Sequence, residues 1–252
     1  MKHTDDSEPF LPGVPAIHVL ERLSKAGGNE VASGKFANLE SSAALAVNTF
    51  GWFVDRPKLL PAFPSLASMF PAKFVEVEYC ARFPWSGGKH PWLDAAIETD
   101  HHLIGVESKR FEPYRDRKRV SLSKAYDRKV WGNQMAPFET MRDSLRDGNE
   151  SFQYLDAAQL VKHAFGLVTD GKRKIKSPVL VYLFAEPKSL NSKPIDIQAF
   201  SDHRAEIARF ANGVRDAAVS FHALSYRDWL RTWPLDGPVA QHRVELAKRF
   251  EP

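Results

Sequence analysis

The most informative segment of the chain is Pro91-Trp-Leu-Asp-Ala-Ala-Ile-Glu-Thr-Asp-His-His-Leu-Ile-Gly-Val-Glu-Ser-Lys109. Two runs rich in apolar residues, Leu93–Thr99 and Leu103–Lys109, flank the dipeptide Asp100-His101. Short apolar runs on either side of a polar turn are typical of a β-hairpin. We therefore predict two antiparallel strands with the turn centred between Asp100 and His101.

This register brings three charged side chains together. With the turn so placed, Asp94 lies opposite Glu107 and Trp92 opposite Lys109. Directly opposed residues point to the same face of a sheet, with Cβ atoms about 4.5–5.5 Å apart. Glu107 and Lys109 share that face because strand side chains alternate. The hairpin therefore predicts two carboxylates and a lysine at one spot.

Such a cluster favours metal-assisted chemistry. Opposed carboxylates repel each other unless a positive charge lies between them. A hard divalent cation suits oxygen ligands, and Mg²⁺ needs only one or two protein carboxylates when it also binds a substrate phosphate. Lys109 is a compact cation that would orient an attacking water and stabilise charge on a phosphoryl group. These residues predict metal-assisted hydrolysis of a phosphodiester.

The alternative is an ion-pair ladder on a solvent-exposed sheet, in which Asp94, Glu107 and Lys109 have no chemical role. The residues around Glu107 include the apolar Leu103, Ile104 and Val106. They favour an interior strand, where an unpaired charge is costly.

The elements around the hairpin alternate between strands and helices. Helical spacing is found at 37–53, 154–167, 202–215, 227–232 and 238–250, and strand patterns at 74–83, 178–184 and 219–225. A hairpin followed by strand–helix alternation predicts an α/β fold with a mixed central sheet flanked by helices. We expect residues 1–36 to form an irregular N-terminal arm and residues 37–252 to form a single α/β domain.

The motif and the element order together resemble the PD-(D/E)XK nuclease superfamily, which has the restriction-endonuclease-like fold. Pro91 precedes Asp94 by three positions, and Glu107-Ser-Lys109 follows thirteen positions after Asp94. A preceding helix with a glutamate and a later helix with a glutamine match that core, over roughly residues 37–225. Leu93 stands directly before Asp94, where the superfamily pattern has proline.

The resemblance implies a Mg²⁺- or Mn²⁺-dependent nuclease acting on DNA. It makes Asp94 and Glu107 metal ligands, the Ser108 carbonyl a further ligand and Lys109 the catalytic lysine. Glu40 in the first helix would be an accessory ligand or would orient water. Gln159 in the later helix would lie near the metal or the substrate.

Positive charge is concentrated in two segments, although the net charge of the chain is only +4. Residues 109–129 contain nine Lys and Arg against three Asp and Glu, and residues 171–176 contain four cations. This pattern favours a polyanion-binding surface, with DNA as the partner and RNA as a second candidate. Phe111, Tyr114, Tyr126 and Trp131 would stack on unpaired bases. The candidate phosphate contacts are Arg110, Arg115, Arg117, Lys118, Arg119, Lys172, Arg173 and Lys174. The alternative interpretation is a solvated charged face.

Other features narrow the class of protein. The only cysteine, Cys80, excludes an internal disulfide, and no apolar run reaches 18 residues. The polar N-terminal residues have no signal-peptide pattern, so we expect a cytoplasmic protein without a membrane partner. We expect His163 to be an ordinary core or surface histidine.

Three functional interpretations follow. The first is a nuclease, and the absence of a helix-turn-helix or zinc module favours structure- or end-directed cleavage. The second is a non-catalytic nucleic-acid-binding protein that retains the nuclease fold. The third is a structural or partner-binding protein. Homodimerisation is left open.

Overall fold

A computed structural model describes residues 9–26, 36 and 41–252. Its centre is a five-stranded mixed sheet with the strand order β1-β2-β3-β4-β7. The strands are β1 (Phe74–Cys80), β2 (Trp92–Glu98), β3 (His102–Lys109), β4 (Ser177–Phe184) and β7 (Ser220–Ser225), and a separate small hairpin consists of β5 (Ser189–Leu190) and β6 (Lys193–Pro194). The pairs β1–β2 and β2–β3 are antiparallel, whereas the pairs β3–β4 and β4–β7 are parallel. The mixed α/β fold is as predicted.

Helices cover both faces of this sheet. They are α1 (Ala16–Lys25), α2 (Ser42–Gly51), α3 (Glu112–Arg115), α4 (Ala136–Asp147), α5 (Ala157–Lys174), α6 (Ile197–Gly213), α7 (Tyr226–Arg231) and α8 (Gly237–Phe250). Apolar side chains of α1, α2, α7 and α8 form one core with the sheet, and those of α4, α5 and α6 form a second core on the opposite face. Burial on both faces explains the continuous apolar sequence of β4.

The predicted register of the central hairpin is confirmed. Ala95 pairs with Val106 and Glu98 pairs with Leu103, and the Thr99 N–H donates to the His102 carbonyl across the turn. The alternation of β3 is also as expected. Ile104 and Val106 enter the core that contains α2, whereas Leu103 enters the core that contains α5.

Three helices were not expected, one of which is the four-residue α3. Residues Ala16–Lys25, inside the segment 1–36 interpreted as an irregular arm, form α1, which buries Val19 and Leu23 four positions apart on one face. Helix α4 lies directly after the basic segment 109–129, and it buries Phe138, Met141 and Leu145. The spacing of those three residues is helical, but the surrounding charges hide it. Within the described residues, no helix is both long and apolar enough to span a membrane.

Candidate active site

The three charged residues of the hairpin meet where β3 ends. Glu107 is 2% exposed, and its carboxylate Oε1 accepts a hydrogen bond from the Lys109 ammonium. Alternation along β3 places both side chains on the face that α5 covers. Lys109 pairs with Phe184 at the carboxyl end of the parallel strand β4. The cluster therefore lies at the carboxyl edge of the parallel part of the sheet.

Asp94 lies at the end of the β2–β3 ladder. The last paired residues of β2 and β3 are Ala95 and Val106, and beyond them the Asp94 Oδ2 atom accepts a 2.6 Å hydrogen bond from the Ser108 N–H. Burial, with the charges of Glu107 and Glu78, raises the pKa of the Asp94 carboxyl well above its usual range. Asp94 is thus held next to Glu107 by the backbone of the Glu107-Ser108-Lys109 segment.

Glu107 and Lys109 stabilise each other's charged forms. Burial alone would raise the pKa of Glu107, but the Lys109 ammonium and His163 lower that pKa to about 2. Burial would likewise lower the pKa of Lys109, but the carboxylates of Glu107, Glu112 and Asp94 raise it well above its usual range. Two neighbouring carboxyl groups with pKa values displaced in opposite directions are common at functional sites.

His163 of α5 is buried, as expected of a core histidine, and it lies against Glu107 in this cluster. Its Nε2 atom lies 2.8 Å from Oε2 of Glu107, and its side chain is 3% exposed. Gln159, one turn earlier, is half-buried, and its backbone N–H donates to the Asp156 carboxylate at the start of α5. Among the described residues, no hydrogen bond joins the Gln159 side chain to Asp94, Glu107 or Lys109. The α5 residue in contact with the carboxylate pair is therefore His163.

A further carboxylate near Lys109 was missed. Glu112 Oε2 accepts a 3.0 Å hydrogen bond from the Arg110 N–H and a second hydrogen bond from the Ser42 hydroxyl. Ser42 is the first residue of α2, so this contact joins the amino end of α2 to the site. The only signal in the sequence was proximity, because Glu112 follows Lys109 by three positions. Glu40 lies outside the described residues.

Ser108 fixes the site from the other face of the sheet. Its hydroxyl lies 2.7 Å from the Tyr226 hydroxyl at the start of α7, and both residues are buried. The same serine holds Asp94 through its backbone N–H. The position of Asp94 therefore depends on packing between β3 and α7.

The donor set fits a hard cation. Carboxylate oxygens suit Mg²⁺ or Mn²⁺, and each ionised carboxylate offers about four lone-pair positions. Lys109, His163 and Ser108 occupy some of these lone-pair positions. The remaining positions are available to a cation bound by Asp94 and Glu107. No group of three or more His, Cys, Asp or Glu with metal-binding geometry is found over residues 9–26, 36 and 41–252.

The predicted phosphate contacts fall into three groups, which are the residues shortly after the site, the buried Arg110 and the second basic segment. Arg115, Arg117 and Arg119 are exposed and Lys118 is half-buried, all of them shortly after the site. Arg110 is 7% exposed, and its guanidinium donates to the Phe250 carbonyl and lies over the Phe111 ring. The prediction of an accessible phosphate contact at Arg110 is wrong, because the carboxyl end of α8 covers this side chain.

The second basic segment lies away from the site. Helix α5 returns from the carboxyl end of β3 to its amino end, where Ser177 pairs with His102. Seven residues of β3, roughly 23 Å at 3.3 Å per residue, separate that end from Lys109. In this segment Lys172 donates a hydrogen bond to the Trp131 carbonyl, and Arg173 donates one to the Asp170 carboxylate. Lys174 donates one to the Glu98 carboxylate. The two basic segments therefore do not form one surface at the site.

Most of the aromatic residues interleaved with the basic segment are unavailable for stacking. Phe111, Tyr126 and Trp131 are buried, and Trp131 stacks on Phe165 in the core beside α5. Tyr114 alone of these four is half-buried. Local sequence could not distinguish these cases, because the partners that bury the rings come from distant elements.

Comparisons with known proteins agree with the fold. No curated protein and no solved structure matches the chain. One family model, described as restriction endonuclease associating with ARP, matches residues 7–251. That match includes every strand of the central sheet and each of Asp94, Glu107 and Lys109. The chain with this restriction-endonuclease-like fold therefore belongs to the family of restriction endonucleases associating with ARP.

Proposed function

We propose that the chain is a metal-dependent nuclease that hydrolyses phosphodiester bonds of DNA, with Asp94 and Glu107 as ligands of Mg²⁺ or Mn²⁺. The observation that carries the proposal is the contact between Glu107, a carboxylate only 2% exposed, and the Lys109 ammonium beside Asp94. Glu107 and Lys109 at the end of β3, with Asp94 on the neighbouring strand β2, are costly to remove from water, and a catalytic role explains them. Membership in a restriction endonuclease family supports the same chemistry.

Each protein group has a distinct role in the proposed reaction. The cation, when bound, would polarise the scissile phosphate and activate water. Lys109 would donate hydrogen bonds to the nucleophilic water and to a non-bridging phosphate oxygen, where it stabilises the negative charge of the transition state. Glu107 would orient Lys109, and the Ser108 N–H would orient Asp94. The Ser108 carbonyl would supply a further ligand, and Glu40 and, from α5, Gln159 would support the site.

The direct test is cleavage of plasmid and of linear single- and double-stranded DNA in Mg²⁺, Mn²⁺ or EDTA. Wild type is compared with Glu107→Gln, and with Glu245→Gln as a control at an exposed position of α8. We expect metal-dependent cleavage by wild type and by the control, and at least a hundredfold slower cleavage by Glu107→Gln. Full activity of Glu107→Gln would refute the assignment.

A second candidate is a non-catalytic nucleic-acid-binding protein with the same fold. It is favoured by one observation, namely that Glu107 already has Lys109 and His163 as partners and Asp94 already accepts from Ser108. These contacts hold the two side chains in position without any cation. Salt-sensitive DNA binding, with no cleavage of any substrate in Mg²⁺ or Mn²⁺, would favour this candidate.

A further inference from the structure

A polar cleft opens beside the proposed active site. It has a volume of about 430 Å³ and lies between α3 with its following loop and the segment that leads into α5. We call it the α3–α5 cleft. Its lining includes Tyr114, Arg115, Arg117, Lys118, Gln153 and Tyr154. The volume falls within the range of sites for small ligands, which is about 300–1,000 Å³.

Helix α3 connects the cleft to the site. The Lys118 ammonium donates to the Glu112 carbonyl, and the Glu112 carboxylate accepts from the backbone N–H of Arg110, directly after Lys109. Pro113, the next residue, also lines the cleft. A DNA strand whose scissile phosphate lies at Lys109 would therefore place its neighbouring nucleotide in the cleft.

The charges of the cleft suit a phosphate group. Arg115 forms two hydrogen bonds with Asp116, at 2.7 and 3.1 Å. Arg117 is exposed and has no hydrogen-bond or ion-pair partner within the described ranges. A guanidinium binds phosphate oxygens through two parallel N–H groups. Arg117 is therefore the side chain best placed to contact an incoming phosphate.

The cleft also offers an aromatic ring. The rings of Tyr154 and Tyr114 have centroids 6.4 Å apart. The Tyr114 hydroxyl lies 3.3 Å from Nδ1 of His203 in the interior, and this contact holds the Tyr114 ring in place. The Tyr154 backbone N–H donates to the Glu206 carboxylate at 2.8 Å, which fixes the main chain at this residue. Tyr154 remains half-exposed, so its ring offers an aromatic surface to a planar group.

We propose that the α3–α5 cleft binds an unpaired nucleotide adjacent to the scissile phosphate, with its base stacked on Tyr154 and its phosphate bound by Arg117. A paired base inside a duplex is stacked on both faces by its neighbours, whereas an unpaired base has a free face for an aromatic side chain. The inference rests on the proposed nuclease function and makes its substrate a single-stranded end or flap of DNA.

The experiment measures binding in EDTA, so that it is independent of cleavage. A fluorescent single-stranded oligonucleotide and a blunt duplex of the same sequence are titrated with wild type, Tyr154→Ala and Tyr154→Phe, and anisotropy is recorded. Stacking on one ring predicts roughly 5- to 150-fold weaker binding of the single strand by Tyr154→Ala. Tyr154→Phe keeps the ring and should bind as wild type does. Duplex binding should be the same for all three proteins.

The arginine is tested against a charge-matched control. Arg117→Gln should weaken binding of the single strand and reduce the salt dependence of its affinity. Arg215→Gln should do neither, because Arg215 precedes β7 at the opposite end of the sheet from Lys109. Unchanged single-strand binding by Tyr154→Ala, or an equal loss on duplex, would overturn the cleft assignment. Tighter binding of a single-stranded RNA of the same sequence would overturn DNA as its ligand.

The two proposals fail in different ways. Metal-dependent cleavage that requires Glu107, together with binding that is indifferent to Tyr154, refutes only the cleft. Tyr154-dependent binding of single strands without any cleavage refutes only the nuclease, because binding in EDTA needs no catalysis.

Discussion

The Nε2 atom of His163 lies 2.8 Å from Oε2 of Glu107, and the two side chains are 3% and 2% exposed. This contact ties the helix α5 to the end of β3. It also gives Glu107 a partner on the side opposite to Lys109, which occupies Oε1. The proposed ligand is thus held between two side chains from different elements.

Replacement of His163 by Leu should weaken binding of the metal. Groups that orient a metal ligand typically contribute 10- to 100-fold to affinity. We expect the Mg²⁺ concentration for half-maximal cleavage to rise by about that factor, whereas DNA binding in EDTA stays as in wild type. His163→Gln, whose amide N–H groups are polar donors, should recover part of the loss. Wild-type Mg²⁺ dependence in His163→Leu would show that the contact has no role in the site.

Loss of the Lys109 cation should destabilise the fold as well as abolish cleavage. Lys109→Met leaves the buried Glu107 carboxylate with an incomplete set of partners, and breaking a buried ion pair costs roughly 3–5 kcal/mol. The double variant Lys109→Met with Glu107→Gln removes both charges, so it should lose much less stability while remaining inactive. Urea unfolding of wild type, Lys109→Met, Glu107→Gln and the double variant gives the coupling free energy between the two charges. Additive losses would mean that the two charges do not interact.

The sequence predicted the hairpin because its signal is local. Alternation and the polar turn set the register, and that register places Asp94, Glu107 and Lys109 at one end of the sheet. The partners of those residues were not predictable in the same way. Gln159 and His163 are one turn apart on the same face of α5. The position of α5 along its axis therefore decides which of them lies at Glu107, and that position depends on packing in the second core. The position of Lys172 was inferable, since a helix after a parallel strand must run back along it.

Arg110 should contribute to stability rather than to DNA binding. Its guanidinium donates to the carbonyl of Phe250, 140 residues away, and this contact fixes the carboxyl end of α8. Arg110→Met should therefore lower the free energy of unfolding by roughly 1–3 kcal/mol and leave DNA affinity per folded molecule unchanged. Arg117→Gln should leave the free energy of unfolding unchanged and should weaken DNA binding. Loss of DNA affinity in Arg110→Met, without loss of stability, would restore the original prediction for Arg110.

Buried His203 should make the protein sensitive to acid. The Tyr182 hydroxyl lies 3.0 Å from its Nε2 atom, and burial, with the charges of Lys118 and Arg204, lowers the pKa of His203 from 6.5 to about 3. A histidine with a lowered folded pKa binds more protons when unfolded. Its contribution to stability is therefore complete above pH 6.5 and is lost as the pH falls towards 3.

Comparison with a variant isolates this effect from the titration of other groups. A shift of one pKa unit corresponds to 1.36 kcal/mol, so His203 should account for about 3 kcal/mol of the loss between pH 7 and pH 4. His203→Gln is less stable at pH 7 but should show a flatter dependence on pH. Parallel curves of unfolding free energy against pH for the two proteins would contradict the prediction.

Gly166 should be intolerant of even one methyl group, because α5 approaches the loop between β1 and β2 at this residue. A Cβ atom there would lie 2.8 Å from both the carbonyl oxygen and the Cβ of Ala81, which are backbone or directly attached to it. Gly213, at the end of α6, is the matched control, since a Cβ there meets only the mobile methyl of Met141. Overpacking predicts a loss of roughly 1–3 kcal/mol for Gly166→Ala, whereas Gly213→Ala gains helix propensity and should be close to neutral. Because α5 carries His163, Gly166→Ala should also slow cleavage, and equal unfolding free energies for the two variants would mean that α5 has room to shift.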